Sequence, residues 1–301
     1  MAAVTPDLIK RLREASNAGL LDCKKALTAT DGDIDAAADW LRKNGLSKAA
    51  KVADKIAAEG AIALKISDDY KKATLVEINC ETDFVAKNEN FKAFATEVVG
   101  YVHGANPKTI DDLKNGAINA KSYADLIAET IAKLGEKIDV RRFANYAVSG
   151  GVVNGYLHSN ARVGAIVAIE TAAKLEDFAR DIAMHATAMK PLYLNEAAIP
   201  SEAIAKEREI AIEQLKKEGK PEAMLEKIVP GKIKKFVQDN TLEGQTFVKD
   251  DKKSVAQALN DAAKAQGASA KIVFFARFEV GEGIEKKSDD FAAEVAAQTK
   301  R

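Results

Sequence analysis

Much that would mark an enzyme, a secreted domain or a membrane protein is missing from this 301-residue chain. It has no net charge: 45 Lys and Arg residues balance 45 Asp and Glu residues, so no global field draws it to nucleic acid or to an anionic membrane. Its only cysteines are Cys23 and Cys80, too few for a disulfide framework and in keeping with a reducing cytosol. No apolar run reaches the roughly 20 residues needed to span a bilayer. The first residues hold no apolar signal core, and Asp7 and Glu14 argue against a transit peptide. No strand pattern leads into a glycine-rich phosphate loop, and Gly281-Glu282-Gly283 lacks the third glycine and the helix start that such a loop needs. His103, His158 and His185 are far apart, without metal-ligand spacing, and neither cysteine has a histidine nearby. What is left is a soluble, cytoplasmic, ordered protein without visible catalytic machinery, cofactor or metal. Its partner is expected to be a protein or a small molecule.

What is present is a set of short, well-punctuated elements. Thr5-Pro6 caps a first helix with Leu8, Ile9 and Leu12 in its stripe. Gly19 links it to a second, with Leu20, Cys23, Ala26 and Leu27. Asp31-Gly32-Asp33 turns into a third, carrying Ile34, Ala37, Ala38 and Leu41 and expected to stop at Gly45. Beyond Gly60 the chain repeats itself. Strand Thr74–Cys80 followed by Glu81-Thr82 matches Val163–Ile169 followed by Glu170-Thr171, an offset of 89 residues. Later, Gly135 with Val140, Phe143 and Tyr146 matches Gly267 with Ile272, Phe275 and Phe278, an offset of 132. The excess of 43 residues in the second copy falls between Pro191 and about Gln238 and reads as an antiparallel helical hairpin, its second arm kinked or interrupted by Pro230.

The expected fold is therefore α+β: a three-helix module (1–55), core subdomain 1 (56–148), core subdomain 2 (149–190 and 239–280), the inserted hairpin (191–238) and a C-terminal helix module (281–301) with a stripe through Phe291, Ala292, Val295 and Ala296.

One junction breaks the pattern. In Thr74–Cys80, Val76, Ile78 and Cys80 share one face and Leu75, Glu77 and Asn79 the other, as in a half-buried strand. The chain then places Asp83 and Phe84 side by side on a turn. The simplest account makes Phe84 a staple under the next helix and Asp83 its cap. At an offset of 89, however, Ala172 and Ala173 stand in their place, so one copy closes without the ring and the other is free to use it outward. Leu20-Leu21 poses a similar choice, with one leucine expected to face the helical core and the other to point away.

Three stretches carry a resemblance: Leu12-Arg-Glu-Ala-Ser-Asn-Ala-Gly-Leu-Leu-Asp-Cys-Lys-Lys-Ala-Leu27, Glu77-Ile-Asn-Cys-Glu-Thr-Asp-Phe-Val-Ala-Lys-Asn88 and Phe278-Glu-Val-Gly-Glu-Gly-Ile-Glu285. Over its whole length the chain resembles the elongation factor Ts family, guanine-nucleotide exchange factors for the GTPase elongation factor Tu. The resemblance implies a ubiquitin-associated-like N-terminal module, two related core subdomains, a coiled-coil hairpin and a C-terminal helix. It implies that Thr82, Asp83, Phe84 and Val85 enter the GTPase near its bound Mg²⁺, and that Leu12, Leu20 and Leu21 contact the same domain. It also puts His158 at the core interface, and it allows self-association through the hairpin. The sequence departs from the family at Leu20-Leu21, where methionines are frequent, and at Thr246 and Pro230. Two other readings are a scaffold that only holds a partner and an RNA-binding repeat protein; the neutral charge argues against the second.

Overall fold

The structure, a computed structural model, describes residues 4–16 and 18–285. The C-terminal helix expected at Ser288–Thr299 lies outside the described residues. Helix α1 (Pro6–Ser16) starts where Thr5 Oγ1 accepts the Leu8 amide at 3.3 Å. After α2 (Leu20–Ala29), Asp31 and Gly32 take positive φ values of 51° and 85°, and Asp33 caps α3 (Ile34–Val52) by accepting the Ala36 amide at 3.0 Å. Leu12, Cys23, Ala26, Leu27 and Ala37 form the closed core of this module. The stop expected at Gly45 does not occur. Here the missing side chain serves packing: a Cβ would sit 3.3 Å from the Ala128 carbonyl oxygen, so glycine lets α3 lie close against the helix carrying Ala128. Arg42 fastens the same contact, donating to Asp125 at 2.8 Å.

The two copies follow. The first runs β1 (Glu59–Ile66), β2 (Lys72–Cys80), α4 (Asp83–Ala86), α5 (Glu89–Ala105), α6 (Ile110–Lys114), β3 (Ala117–Ile118), β4 (Lys121–Ser122), α7 (Tyr123–Leu134) and β5 (Asp139–Ala147). The second runs β6 (Val152–Leu157), β7 (Val163–Thr171), α8 (Glu176–Met189), α9 (Ser201–Lys217), α10 (Glu222–Asn240), β8 (Thr246–Phe247), β9 (Asp250–Ser254), α11 (Val255–Lys264) and β10 (Ala270–Glu279). Each makes a three-stranded antiparallel sheet, β1-β2-β5 and β6-β7-β10. The mixed α+β class is as expected.

The register corrects the repeat. Gly60 and Gly151 occupy the same place, with φ of 142° and 128° and with a Cβ on either falling 2.0 Å from a carbonyl oxygen, that of Ile78 or of Ile169. Ile78 pairs with Val140 as Ile169 pairs with Ile272, and one residue is skipped next to each pair, Arg141 and Val273. The strands are thus offset by 91 residues, not 89. A slip of two leaves every side chain on its own face, so alternation alone cannot detect it.

Strand β2 is buried on both faces rather than half-buried. Val76, Ile78 and Cys80 lie under α5 and α7, whereas Leu75 and Ala73 meet Ile166, Ala168 and Val153 of the other sheet. The two sheets therefore stack face to face with helices outside, and each fully buried Ile or Leu of this layer contributes about 1.5–3 kcal/mol. The inserted hairpin is present. Leu215, Leu225 and Val229 form its small core, and α10 continues through Pro230 instead of ending there; the proline lacks the amide that would donate to the Glu226 carbonyl, and on this exposed side water can take its place.

Candidate functional site

At the end of β2 the chain makes a single helical turn, and its composition decides what points where. Thr82 is the cap, its Oγ1 accepting the Val85 amide at 3.3 Å; Asp83 is the first helical residue and not the cap. Val85 and Ala86 pack inward on the core under α5, and Asn88 then caps α5 by accepting the Asn90 amide at 2.8 Å. One turn can bury only one side. Phe84, on the other, is 81 % exposed. It is no staple under the next helix. Asp83 lies beside it, with Lys87 Nζ 2.6 Å from its carboxylate; that ammonium holds the Asp83 carboxyl below the usual carboxylate range. Asp83 is a fixed anion at neutral pH.

The turn is anchored by residues that pattern reading did not single out. Glu136, just past the end of α7, accepts the Glu81 and Thr82 amides on Oε2 at 3.1 and 2.9 Å and the Thr82 hydroxyl on Oε1 at 2.6 Å. Glu81 answers by accepting the Lys137 amide at 2.7 Å and the Lys55 ammonium at 2.8 Å. No local signal announces Glu136, because its partners are more than fifty residues away in sequence. Beneath the turn, Cys80 donates its thiol to the Thr82 carbonyl at 3.1 Å. Burial and the nearby Glu136 charge push that thiol up to about 12, so it stays protonated and is no nucleophile.

The other expected contact residues are placed differently from one another. Leu20 and Leu21, 57 % and 71 % exposed, both face solvent at the start of α2, instead of one facing in. Leu12 is fully buried among Cys23, Ala26 and Leu27, so in the free chain it is a packing residue with no surface to offer. His158 is exposed at the head of the β6–β7 turn, edge-on to Tyr156 with ring centroids 6.4 Å apart. That turn reaches the first sheet: the Ala161 carbonyl accepts the Ile62 amide at 2.7 Å, and Arg162 pairs with Glu59, which lies opposite Cys80. His158 and the Phe84 turn are thus tied to the same end of β1 and β2. His185, in contrast, is buried between Gln245 and the Val248 amide, a structural histidine.

Among the described residues no group of His, Cys, Asp and Glu is arranged to hold a metal ion, and no helix is long and apolar enough to cross a membrane. The arrangement offers contact chemistry: an exposed ring beside a negative charge.

The family model described as Elongation factor TS matches residues 81–282. An elongation factor Ts of Nitratiruptor sp. is 54 % identical over 99 % of this chain and 100 % of its own length. That of Nautilia profundicola is 48 % identical over 99 % of each chain. The elongation factor Ts of Helicobacter pylori strain J99 is 42 % identical over 100 % of both.

Proposed function

The chain belongs to the elongation factor Ts family of translation elongation factors, and from that membership we propose that it is the guanine-nucleotide exchange factor of elongation factor Tu. In this reading Phe84, with Asp83 beside it, wedges into the GTPase domain next to the bound Mg²⁺. The observation that carries it is the 81 % exposure of a phenylalanine on a turn whose Val85 and Ala86 pack inward. Mg²⁺ bridges the nucleotide phosphates to a GTPase, so displacing the element that orients its ligands weakens metal and nucleotide together. The coupling is reciprocal: a factor that loosens GDP is itself loosened by GDP or GTP. It therefore speeds exchange in both directions, GTP rebinding included, and makes or breaks no covalent bond. Nucleotide concentrations choose the product.

The remaining assignments belong to the same reading. The three-helix module (1–55) adds a contact through Leu20 and Leu21, with Leu12 supporting it from the core. The two core subdomains (56–148; 149–190 with 239–280) add His158, and the hairpin (191–238) supplies a further contact or self-association. The place of action is the cytoplasm, and nucleic acid is not contacted directly.

The test is release of fluorescent GDP from elongation factor Tu on mixing with the full chain. Phe84→Ala, at an exposed position, should leave the fold intact and slow stimulated release by about 100-fold, as loss of a central aromatic contact does. A scaffold without exchange activity leaves the release rate unchanged with either protein. An unaltered rate with Phe84→Ala sinks the wedge.

A further inference from the structure

A four-residue helix has no stability of its own in water, so the direction in which Phe84 points must be set from outside the turn. The outside group is Glu136. Its carboxylate takes the Glu81 and Thr82 amides at 3.1 and 2.9 Å and the Thr82 hydroxyl at 2.6 Å. The same hydroxyl oxygen receives the Val85 amide at 3.3 Å, so the hydrogen bond that closes the turn is continuous with the one that holds it. The exchange between Glu81 and the Lys137 amide, at 2.7 Å, makes the grip mutual: neither loop moves without the other.

From this geometry we infer that Glu136 is a positioning residue for exchange, locking α4 so that Phe84 projects. The inference rests on the reading of Phe84 as the displacing group. The second copy provides the independent observation. At offsets of 91 and 132, Ala172, Ala173, Ala268 and Ser269 stand where Glu81, Thr82, Glu136 and Lys137 stand in the first. There the strand end is tied by neutral groups: Thr171 Oγ1 donates to the Ser269 carbonyl at 2.8 Å and accepts the Ala173 amide at 3.0 Å, the Gln266 side chain accepts the Lys174 amide at 2.9 Å and donates to its carbonyl at 3.0 Å, and no helical turn follows. The unit thus closes without a carboxylate at the Glu136 position, through an amide side chain placed elsewhere on the loop. A tie between the two loops is common to both copies, whereas a carboxylate that grips the cap residue occurs only in the copy that has the turn, which separates the role of Glu136 on Thr82 from the general need for a tie. A ring held in its working orientation before contact spares the ordering cost that a loose one meets on binding.

The experiment uses the full chain as Glu136→Ala, Glu136→Gln, Phe84→Ala and Phe84→Ala/Glu136→Ala. Hydrogen exchange of the Thr82 and Val85 amides is followed in the free factor, and fluorescent GDP release from elongation factor Tu in the mixture. Glu136→Ala should speed exchange at both amides, leave those of Leu75 and Ile78 alone, and slow stimulated release by about tenfold. Glu136→Gln, which keeps one acceptor oxygen, should fall between and serves if the alanine variant does not fold. The double variant should be no slower than Phe84→Ala alone, because Glu136 acts through the ring. Unchanged amide exchange overturns the positioning role, whatever the release rate. Loosened amides with unchanged release overturn it for function, as does a double variant slower by the product of the single effects. If Phe84→Ala releases GDP as fast as the unaltered chain, the wedge reading fails instead, and the amides still decide whether Glu136 holds the turn.

Discussion

The two copies place their charges in opposite layers. Between the sheets, the first copy buries Glu77 completely, bonded to Arg141 at 3.0 Å, Arg142 at 2.5 Å and the Gly281 amide at 2.8 Å. The second copy has Ala168, Val273 and Phe274 at the matching positions, with Phe274 stacked on Tyr146 at 4.3 Å. At the far end of the main helix the contrast reverses. The first copy ties β5 to the end of α5 with a neutral side chain, Asn145 donating to the Val102 carbonyl at 3.1 Å and to Asn106 at 2.7 Å. The second ties β10 to the end of α8 with ions, Lys190 to Glu279 at 2.8 Å and Arg277 to Glu279 at 2.5 Å. One backbone plan accepts either chemistry at either place, provided the charges and amides placed there are partnered.

The largest effect expected from this comparison is at Glu77. Glu77→Ala takes the buried carboxylate from two arginines that are 27 % and 31 % exposed and that keep bonds to Glu282, and should cost about 3 kcal/mol in denaturant unfolding, the low end of the range for a broken buried pair because both retain water and a second partner. Copying the second repeat in full, Glu77→Ala with Arg141→Val and Arg142→Phe, should recover most of that loss. A triple variant as unstable as the single one breaks the claim that the layers are interchangeable.

Next comes the turn itself. Replacing residues 81–88 by Ala-Ala-Lys-Leu, the sequence that joins β7 to α8, should leave a folded chain and abolish stimulated GDP release, at least as large a loss as the roughly 100-fold expected for Phe84→Ala. At an offset of 91 the Phe84 counterpart is Leu175, which is buried, and not an alanine. The inference that one copy manages without the ring survives for a different reason: four residues lie between β7 and α8 and eight between β2 and α5, and the extra length is α4. An unfolded replacement would mean that the turn closes the unit after all.

Periodicity and punctuation made the helices, strands, hairpin and duplication legible, because caps such as Asp33 and alternation such as Val76, Ile78 and Cys80 are local. Three features were not legible, each for a physical reason. A repeat register ambiguous by two residues is invisible to alternation and is set only by the close approaches of Gly60 and Gly151. Gly45 reads as a helix stop, yet a tertiary contact with Ala128 outweighs its propensity. Glu136 looks like any surface acid until the fold brings residues 81 and 82 to it. The exposed Asp83-Phe84 pair was legible because it contradicts its own surroundings, whereas the depth of Leu12 depends on how three helices close.

The shared glycines test what the copies must have in common. Gly60→Ala and Gly151→Ala each force a side chain into a backbone region nearly reserved for glycine and against a carbonyl oxygen, and should each cost about 2 kcal/mol or more. Equal losses in thermal unfolding support one structural position used twice. A loss at one site alone would separate the copies and undo the register.

The smallest effect concerns the ionic tie of the second copy. Hydrogen bonds from Lys190 and Arg277 hold Glu279 down at about 2, below the ordinary value of 4.5. A carboxyl whose folded value is depressed gives stability that is present above the unfolded value and lost as pH falls. The window here runs from about pH 4.5 down to about pH 2. The side chain is 38 % exposed, so solvent screening reduces the contribution to about 1 kcal/mol or less. Glu279→Gln should therefore lower stability slightly at pH 7, and its deficit relative to the unaltered chain should shrink as pH falls through that window. Asn145→Ala, removing the neutral tie of the first copy, should show a deficit that does not change with pH over the same range. A pH-independent deficit at Glu279 would mean that its ion pairs contribute no more than the neutral bonds of Asn145, and the contrast between the two helix ends would then be one of residue type without energetic consequence.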